Sequence, residues 1–139
     1  MDPASLSSAG WTLLAPGDFS ATVGPFWTRG EGEAREVGFI AEPRHGNGRS
    51  VHGGALMTFA DVAFGSAVAL TLGGPYCVTL QLQMQFVAPG PLGAFIHCRP
   101  EIVRRSAQLL FLRGLIRAGE RTVASADGIW TVLDRLKPA

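Results

Sequence analysis

The feature that most constrains the fold is a long, almost entirely apolar stretch at residues 53–71. Its side chains are mainly Ala, Leu, Met, Phe and Val, and its only charge is Asp61. A helix that is apolar on nearly all sides lies at the centre of a domain rather than on its surface. A membrane span needs about 20 apolar residues with few charges, and Asp61 and Gly65 interrupt this stretch. We therefore predict a central helix over residues 53–71 and no membrane span.

After this helix the hydrophobic period becomes two. Between residues 78 and 86, apolar side chains alternate with Thr79 and three glutamines. This alternation predicts a half-buried strand with one apolar and one polar face, which would carry Thr79. Turn residues separate it from other predicted strands, and Pro100 predicts a bulge or an edge position in one of them. These strands are expected at residues 35–42, 93–104, 108–117 and 122–133.

The order of these elements is a strand, one buried helix and an antiparallel meander of four strands. A helix that is apolar on every side must be covered on every side, and a strongly curved sheet covers most of it. The sequence therefore predicts an α+β fold. Its 139 residues fit one domain, 1–139, in which residues 1–34 form an N-terminal arm of turns or short helix. The face that the sheet leaves open predicts a second subunit.

Composition excludes several classes of protein. The chain is 47% hydrophobic and 17% charged, which argues against disorder, and its net charge of +1 favours neither nucleic acid nor an acidic membrane. Cys77 and Cys98 match no metal-binding spacing and are expected to be free thiols in or near the core. Residues 1–12 lack a basic start and an apolar run, so we predict no signal peptide and a cytoplasmic protein.

Asp61 is the main candidate for chemistry. An ionised carboxylate is costly to bury without a partner, so a charge inside an apolar helix needs an explanation. Asp61 either pairs with an arginine or caps a neighbouring loop, or it faces a cleft in which its charge is used.

The start of the helix is a second candidate. His52-Gly53-Gly54 lies where the first backbone N–H groups of a helix have no partner within the helix. Glycine lets a ligand approach the backbone closely, and the helix dipole adds partial positive charge. Such an N–H can stabilise an oxygen that gains charge during acyl transfer. The alternative is a loop-to-helix turn that simply requires small residues.

The spacing of the two candidates constrains the assembly. Gly54 and Asp61 are seven residues apart, so they share one face of the helix but lie about 10 Å apart along its axis. A base or nucleophile must approach within about 3–3.5 Å of the atom it serves. If both residues are catalytic, we predict that Asp61 of one chain faces the helix start of another, at the interface of a two-fold dimer.

The segment Asn47-Gly48-Arg49-Ser50-Val51-His52-Gly53-Gly54, followed by Phe59-Ala60-Asp61-Val62-Ala63, resembles the hotdog-fold acyl-CoA thioesterases of the phenylacetate-pathway (PaaI-like) family. In that fold a curved antiparallel sheet wraps around one long helix. The resemblance covers residues 35–133. It implies hydrolysis of acyl-CoA thioesters to a free acid and coenzyme A without a cofactor or metal, by a homodimer or homotetramer with sites at the dimer interface.

The resemblance also implies roles for individual residues. Asp61 matches the general base or nucleophile, and Gly54 matches the glycine whose N–H polarises the thioester carbonyl. Gly53 belongs to the same motif and is placed with the substrate-binding residues. Asn47 matches a residue that places water or the acyl carbonyl, and His52 matches a histidine near the thioester sulfur.

Thr79 matches a hydroxyl position that orients water in some relatives, and we place it with the substrate-binding residues. Some related enzymes instead carry a hydroxyl one turn after the acid, where this chain has Gly65 beside Ser66. The transfer of the water-orienting role to Thr79 is therefore less direct than the others.

Other readings remain open. A hotdog protein could bind acyl-CoA without hydrolysing it, or act as a hydratase or dehydratase, although the catalytic pairs of those enzymes are not recognisable here. A Gly-x-Ser-x-Gly nucleophile motif is absent. His45 is expected in solvent and His97 on a strand. Four arginines could contact the phosphates of coenzyme A or be ordinary surface charges: Arg44, Arg49, Arg104 and Arg105. Four apolar side chains could be core or line an acyl pocket: Met57, Phe59, Phe64 and Phe86.

Overall fold

The computed structural model of the chain describes residues 1–74 and 76–133. Within these ranges three helices and eight strands form, with 3₁₀ turns at Gly32–Ala34 and Pro43–His45. The helices are α1 (Pro3–Ser8), α2 (Ser20–Val23) and α3 (Gly53–Leu72). The strands are β1 (Thr12–Leu13), β2 (Trp27–Arg29), β3 (Glu36–Ile40), β4 (Cys77–Phe86), β5 (Phe95–Cys98), β6 (Glu101–Arg105), β7 (Leu109–Ala118) and β8 (Arg121–Val132).

The central helix α3 extends one residue beyond its predicted end. His52 caps its first turn by accepting a hydrogen bond from the Gly54 N–H. Gly73 ends it in the left-handed region, at φ 76°, where glycine carries no steric penalty. One side of α3 lies in the main core, where its buried residues are Leu56, Phe59, Ala60, Ala63, Phe64, Val68 and Leu72.

The strands form one antiparallel sheet in the order β1-β2-β3-β5-β7-β8-β4, with β6 paired to β7. The sheet covers α3 as the fold prediction requires. The predicted meander holds for β6, β7 and β8, which pair in chain order, but it is wrong for β4. The strand after the helix, β4, pairs with β8 and not with β5, so it forms an edge of the sheet. The link from β4 to β5 is too long for a tight hairpin and crosses the end of the sheet, where Val51 N–H bonds the Gly90 carbonyl.

The predicted strand at 93–104 is two strands. Pro100 separates β5 from β6, because proline has no N–H to continue a ladder. β5 pairs with β3 and β7, whereas β6 pairs with β7. The proline that predicted a bulge or an edge therefore marks a strand end.

Residues 1–34 hold more regular structure than the predicted arm. β1 and β2 extend the sheet beyond β3, and α1 folds over this extension. Leu6, Trp11 and Trp27 form a small second core there, with Trp11 edge-on to Phe95 at 4.8 Å between ring centroids. Burial of these aromatic rings stabilises the packing of residues 1–34 on the sheet.

A β-bulge in β4 changes which way its side chains point. Thr79 pairs with Trp130 and Gln81 with Ile129, so Leu80 is an extra residue in β4. Trp130 is buried and packs edge-on against Phe64 of α3. Because paired residues lie on the same face of a sheet, Thr79 points towards α3 and Gln81 points away. The prediction that Thr79 shares a polar face with the glutamines is wrong.

The helix α3 has the length and apolarity of a membrane span, with a mean hydropathy of 1.7 over its best window. In this fold the sheet packs over one side of α3 and buries seven of its apolar side chains there. The core helix of a globular protein passes the same test of length and composition.

Candidate active site

Asp61 lies on the side of α3 that the sheet leaves open, and its side chain is exposed in the single chain. The Thr79 hydroxyl donates a 2.6 Å hydrogen bond to Asp61 Oδ1. No arginine or lysine pairs with Asp61 in the described part of the chain, and Asp61 caps no loop there. Of the two explanations for this charge, the structure supports a carboxylate that faces a cleft.

The hydroxyl at this carboxylate comes from the sheet rather than from α3. Ser66, beside the glycine one turn after the acid, donates its hydroxyl to the Ala63 carbonyl of its own helix at 2.8 Å. Thr79 reaches Asp61 because of the bulge at Leu80. The alternation of the sequence places Thr79 on the opposite face, so only the register of β4 and β8 shows this contact.

Cys77, one of the two free thiols, lies near the same carboxylate. Burial raises the pKa of the Cys77 thiol, and the negative charge of Asp61 raises this pKa further. Burial alone raises the pKa of Cys98 to about 12. Both cysteines therefore stay protonated at neutral pH and are poor nucleophiles. Cys98 is buried and Cys77 is half-buried, which confirms the prediction of free thiols in or near the core.

The Gly54 N–H at the helix start has a partner in this chain. His52 Nδ1 accepts its hydrogen bond at 2.9 Å. Because of this hydrogen bond, the ring of His52 covers the N–H that the resemblance assigns to the thioester carbonyl. Both residues are exposed. Gly53 lies beneath Phe86, where an added Cβ would approach the ring to 3.2 Å. Its lack of a side chain therefore serves packing between β4 and α3.

Asn47 belongs to the loop that leads into α3. Its Oδ1 accepts from the Arg49 and Ser50 N–H groups, each at 3.2 Å, and shapes the turn before the helix. The oxygen is thereby committed to the loop. The exposed Nδ2 group is the part of this side chain that is left to donate a hydrogen bond to a ligand.

The candidate residues form two separate groups within one chain. Asp61, Thr79 and Cys77 lie together beside the middle of α3, whereas His52 and Gly54 lie at its start. The two groups are two helical turns apart, about 10 Å along the axis. The structure thus brings Thr79 to Asp61 but does not bring the helix-start residues to either of them.

A groove of about 490 Å³ adjoins Asp61. One wall is a face of α3, formed by Met57, Thr58, Asp61 and Val62, and the other is the segment Gly17–Ser20 before and at the start of α2. Sequence reasoning missed the second wall, because no motif in this segment indicates a ligand. Of the apolar candidates, Met57 lines this groove, whereas Phe59 and Phe64 are core.

Two residues that were expected in solvent or at coenzyme A instead fasten this second wall. His45 is buried, with 5% of its surface exposed, so the prediction of a solvated loop residue is wrong. Its Nδ1 accepts from the Glu42 N–H, so Nε2 carries the proton and donates to the Val23 carbonyl. Arg44 pairs with Glu42 and donates to the carbonyls of Thr22 and Gly24. Arg44 is thereby committed to the arm.

The other basic candidates lie at the surface. Arg49, Arg104 and Arg105 are exposed, and His97 lies on β5 as expected, 4.0 Å from Glu36. Among the described residues, no group of three or more His, Cys, Asp or Glu side chains is arranged to hold a metal ion.

A curved sheet around one central helix, with a single acid on the open side of that helix, defines a class of protein. Comparison with known proteins identifies this class. Residues 48–125 match the family model of the thioesterase superfamily. A Pseudomonas aeruginosa protein whose name describes it as an esterase is 31% identical over 111 residues, covering 78% of this chain and 83% of its own.

Solved structures agree. The BH2602 protein from Bacillus halodurans, determined with CoA, is 31% identical over 70% of this chain and 66% of its own, just under two thirds, with a TM-score of 0.64. The Escherichia coli PaaI protein of the phenylacetic acid degradation operon has a TM-score of 0.66 at 20% identity, over 96% of this chain and 86% of that one. This chain belongs to the thioesterase superfamily and has the hotdog fold.

Proposed function

We propose that this protein hydrolyses acyl-CoA thioesters to a free carboxylic acid and coenzyme A. The observation that carries the proposal is Asp61, the single acid of α3, held by Thr79 on the open side of the helix beside a groove. The Bacillus halodurans relative was determined with CoA, which supports a CoA ester as the substrate.

In the proposed reaction the Asp61 carboxylate acts on the thioester carbonyl in one of two ways. As a general base it takes a proton from water while the water oxygen bonds the carbonyl carbon. As a nucleophile it bonds that carbon itself, and water then hydrolyses the mixed anhydride. In both cases the C–S bond breaks and the coenzyme A thiolate leaves and takes up a proton. Both routes need the ionised carboxylate.

The Gly54 N–H is proposed to polarise the carbonyl oxygen, with Asn47 Nδ2 and His52 beside it. Because Gly54 and Asp61 of one chain are too far apart, the helix start belongs to a partner subunit. His52 must release the Gly54 N–H when substrate arrives. Breaking that exposed hydrogen bond costs about 1 kcal/mol, which substrate binding easily offsets.

The edge strand β4 supports a dimer. It is paired on one side by β8, and Val78, Leu80 and Phe86 expose 45%, 58% and 56% of their surfaces there. An unpaired, apolar edge strand is a template for pairing with another chain. Pairing two copies through β4 also sets two α3 helices side by side, as a site shared between Asp61 and a partner's helix start requires.

The experiment is a panel of aromatic, hydroxyaromatic and aliphatic acyl-CoA esters with thiol release followed by a chromogenic reagent. Asp61→Asn keeps the size of the side chain and removes its charge, and Asp127→Asn, on the outer face of β8, is the matched control. Asp61→Asn should lose at least about a hundredfold in kcat, as expected when a general base is lost. Parent activity in Asp61→Asn would refute the mechanism.

The hydrogen bond from Gly54 N–H to His52 favours one other function. If His52 stays in place, the carbonyl site is filled and the protein binds acyl-CoA without hydrolysing it. Tight binding across the panel with no thiol release, in a protein that is folded and dimeric, would establish this alternative.

A further inference from the structure

The groove beside Asp61 has one wall that the catalytic proposal does not use. The segment Gly17–Ser20 faces Met57, Thr58 and Val62 of α3 across it. At about 490 Å³ the groove lies in the range of small-molecule pockets, roughly 300–1,000 Å³. Because Asp61 also lines it, a thioester placed for attack by Asp61 has its acyl group within reach of this wall.

The wall is held in a defined position. The 3₁₀ turn before the helix start fastens the end of α2 through His45, which donates to the Val23 carbonyl, and Arg44, which donates to the carbonyls of Thr22 and Gly24. Ser20 Oγ accepts from the Gly17 N–H at 3.0 Å and closes the turn that presents Asp18 and Phe19. A wall fixed in this way can select between ligands by shape and charge, because moving it to fit a different ligand would break these hydrogen bonds.

The chemistry of the wall is specific. Phe19, which exposes 69% of its surface, is one of the residues that line the groove, and Met57 and Val62 add apolar surface opposite. Asp18 places a second carboxylate in the same groove as Asp61, and no basic side chain is among the described residues that line it. Two carboxylates with no cation repel a third negative charge, so the groove suits an uncharged acyl group.

We infer that the segment Gly17–Ser20 determines acyl specificity: Phe19 contacts aromatic or other apolar acyl groups, and Asp18 rejects acyl groups that carry a carboxylate. The inference rests on the proposed function, because it takes Asp61 as the group that meets the thioester. It assigns Asp18 and Phe19 no part in bond breaking.

A matched pair of ligands tests the role of Asp18. CoA thioethers that carry a 4-methylphenacyl or a 4-carboxyphenacyl group are similar in shape, differ in charge and resist hydrolysis. We expect the parent protein to bind the methyl compound at least about tenfold more tightly by calorimetry, as a nearby like charge predicts. Asp18→Asn should reduce this preference severalfold, whereas Asp127→Asn, with its carboxylate on the outer face, should leave it unchanged.

The role of Phe19 has its own readout. Phe19→Ala should weaken binding of the methyl compound about tenfold, which is the size of effect expected for one aromatic contact. It should leave the affinity for free CoA unchanged, because CoA carries no acyl group. Leu13→Ala, which removes an exposed apolar side chain elsewhere in the arm, is the control and should change neither affinity.

Equal binding of the two compounds by the parent protein, or an unchanged preference in Asp18→Asn, would overturn the inference. Binding and turnover separate it from the proposed function. If Asp18→Asn changes the preference but no acyl-CoA is hydrolysed, the groove binds the acyl group and the catalytic proposal fails. If hydrolysis depends on Asp61 but Asp18→Asn leaves the preference unchanged and Phe19→Ala leaves the affinity for the methyl compound unchanged, the catalytic proposal stands and the acyl group lies elsewhere.

Discussion

The Thr79 hydroxyl bonds Asp61 Oδ1 over 2.6 Å because one extra residue, Leu80, turns Thr79 towards α3. The rest of β4 follows strict alternation, with the glutamines on the outer face. Without the bulge, Thr79 would lie among them and Asp61 would lose its hydrogen-bond donor. The contact fixes Oδ1, and Oδ2 accepts no hydrogen bond from the part of the chain that the structure describes.

Thr79→Val removes the donor while keeping the shape of the side chain. A hydrogen bond to a charged group contributes about 1.5–3 kcal/mol, so kcat should fall by about ten- to a hundredfold with a smaller change in KM. Thr79→Ser keeps the hydroxyl and should restore most of the rate. Steady-state kinetics of the two variants test this, and equal rates for Val and Ser would show that the hydroxyl does not position Asp61.

The Cys77 thiol reports the charge of Asp61 without any substrate. Burial raises the pKa of Cys77 and the Asp61 charge raises it further. Asp61→Asn removes the second cause, so this pKa should fall, the thiolate fraction at pH 8 should rise, and iodoacetamide should alkylate Cys77 severalfold faster. Peptide mass spectrometry measures the rate, with Asp127→Asn as the control. An unchanged rate would mean that Asp61 does not act on Cys77.

Cys98 should make stability depend on pH in the alkaline range. Burial raises its pKa from 9.0 to about 12, so between these values the unfolded thiol ionises while the folded one keeps its proton. The unfolded state then binds fewer protons than the folded state. The contribution of Cys98 to the free energy of unfolding is therefore complete below pH 9, and above it falls by about 1.4 kcal/mol per pH unit. Urea unfolding at pH 8–11 should show a steeper decline for the parent than for Cys98→Ala. Parallel curves would contradict this.

His52 has a structural role that can be separated from a catalytic one. It caps α3 through its Nδ1, and loss of a helix cap costs about 1 kcal/mol. His52→Ala should lose about that much stability, and His52→Asn, whose side-chain oxygen can cap the same turn, should regain it. Denaturant unfolding measures the stability and thiol release the activity. If Asn restores both, His52 acts only as a cap.

A shared site predicts rescue between two inactive variants. In a mixed dimer of Asp61→Asn with Asn47→Ala, one site holds both changes and the other holds neither. Refolding the two chains together should therefore recover roughly a quarter of parent activity, since about half of the dimers are mixed and each has one intact site. Each variant refolded alone is the control. No recovery, with mixed dimers present, would place Asp61 and Asn47 of one chain in one site.

The sequence determined the central helix, because nearly every residue of that stretch is apolar and glycines mark both its ends. It determined the strands that alternate, and it singled out Asp61, since a lone charge in such a helix is conspicuous on any fold. The helix-start motif was equally visible. These are local signals, which depend on periods of 3.6 or two and on residues adjacent in the chain.

Only the tertiary structure decided what surrounds that acid. The pairing of β4 with β8, the bulge at Leu80 and the burial of His45 all depend on contacts between residues far apart in sequence. A shift of one residue in a strand reverses every side chain after it, and nothing local in β4 marks the shift. Asp61 was therefore predictable as a residue, whereas its partner Thr79 and the wall formed by Asp18 and Phe19 became visible only once the chain was folded.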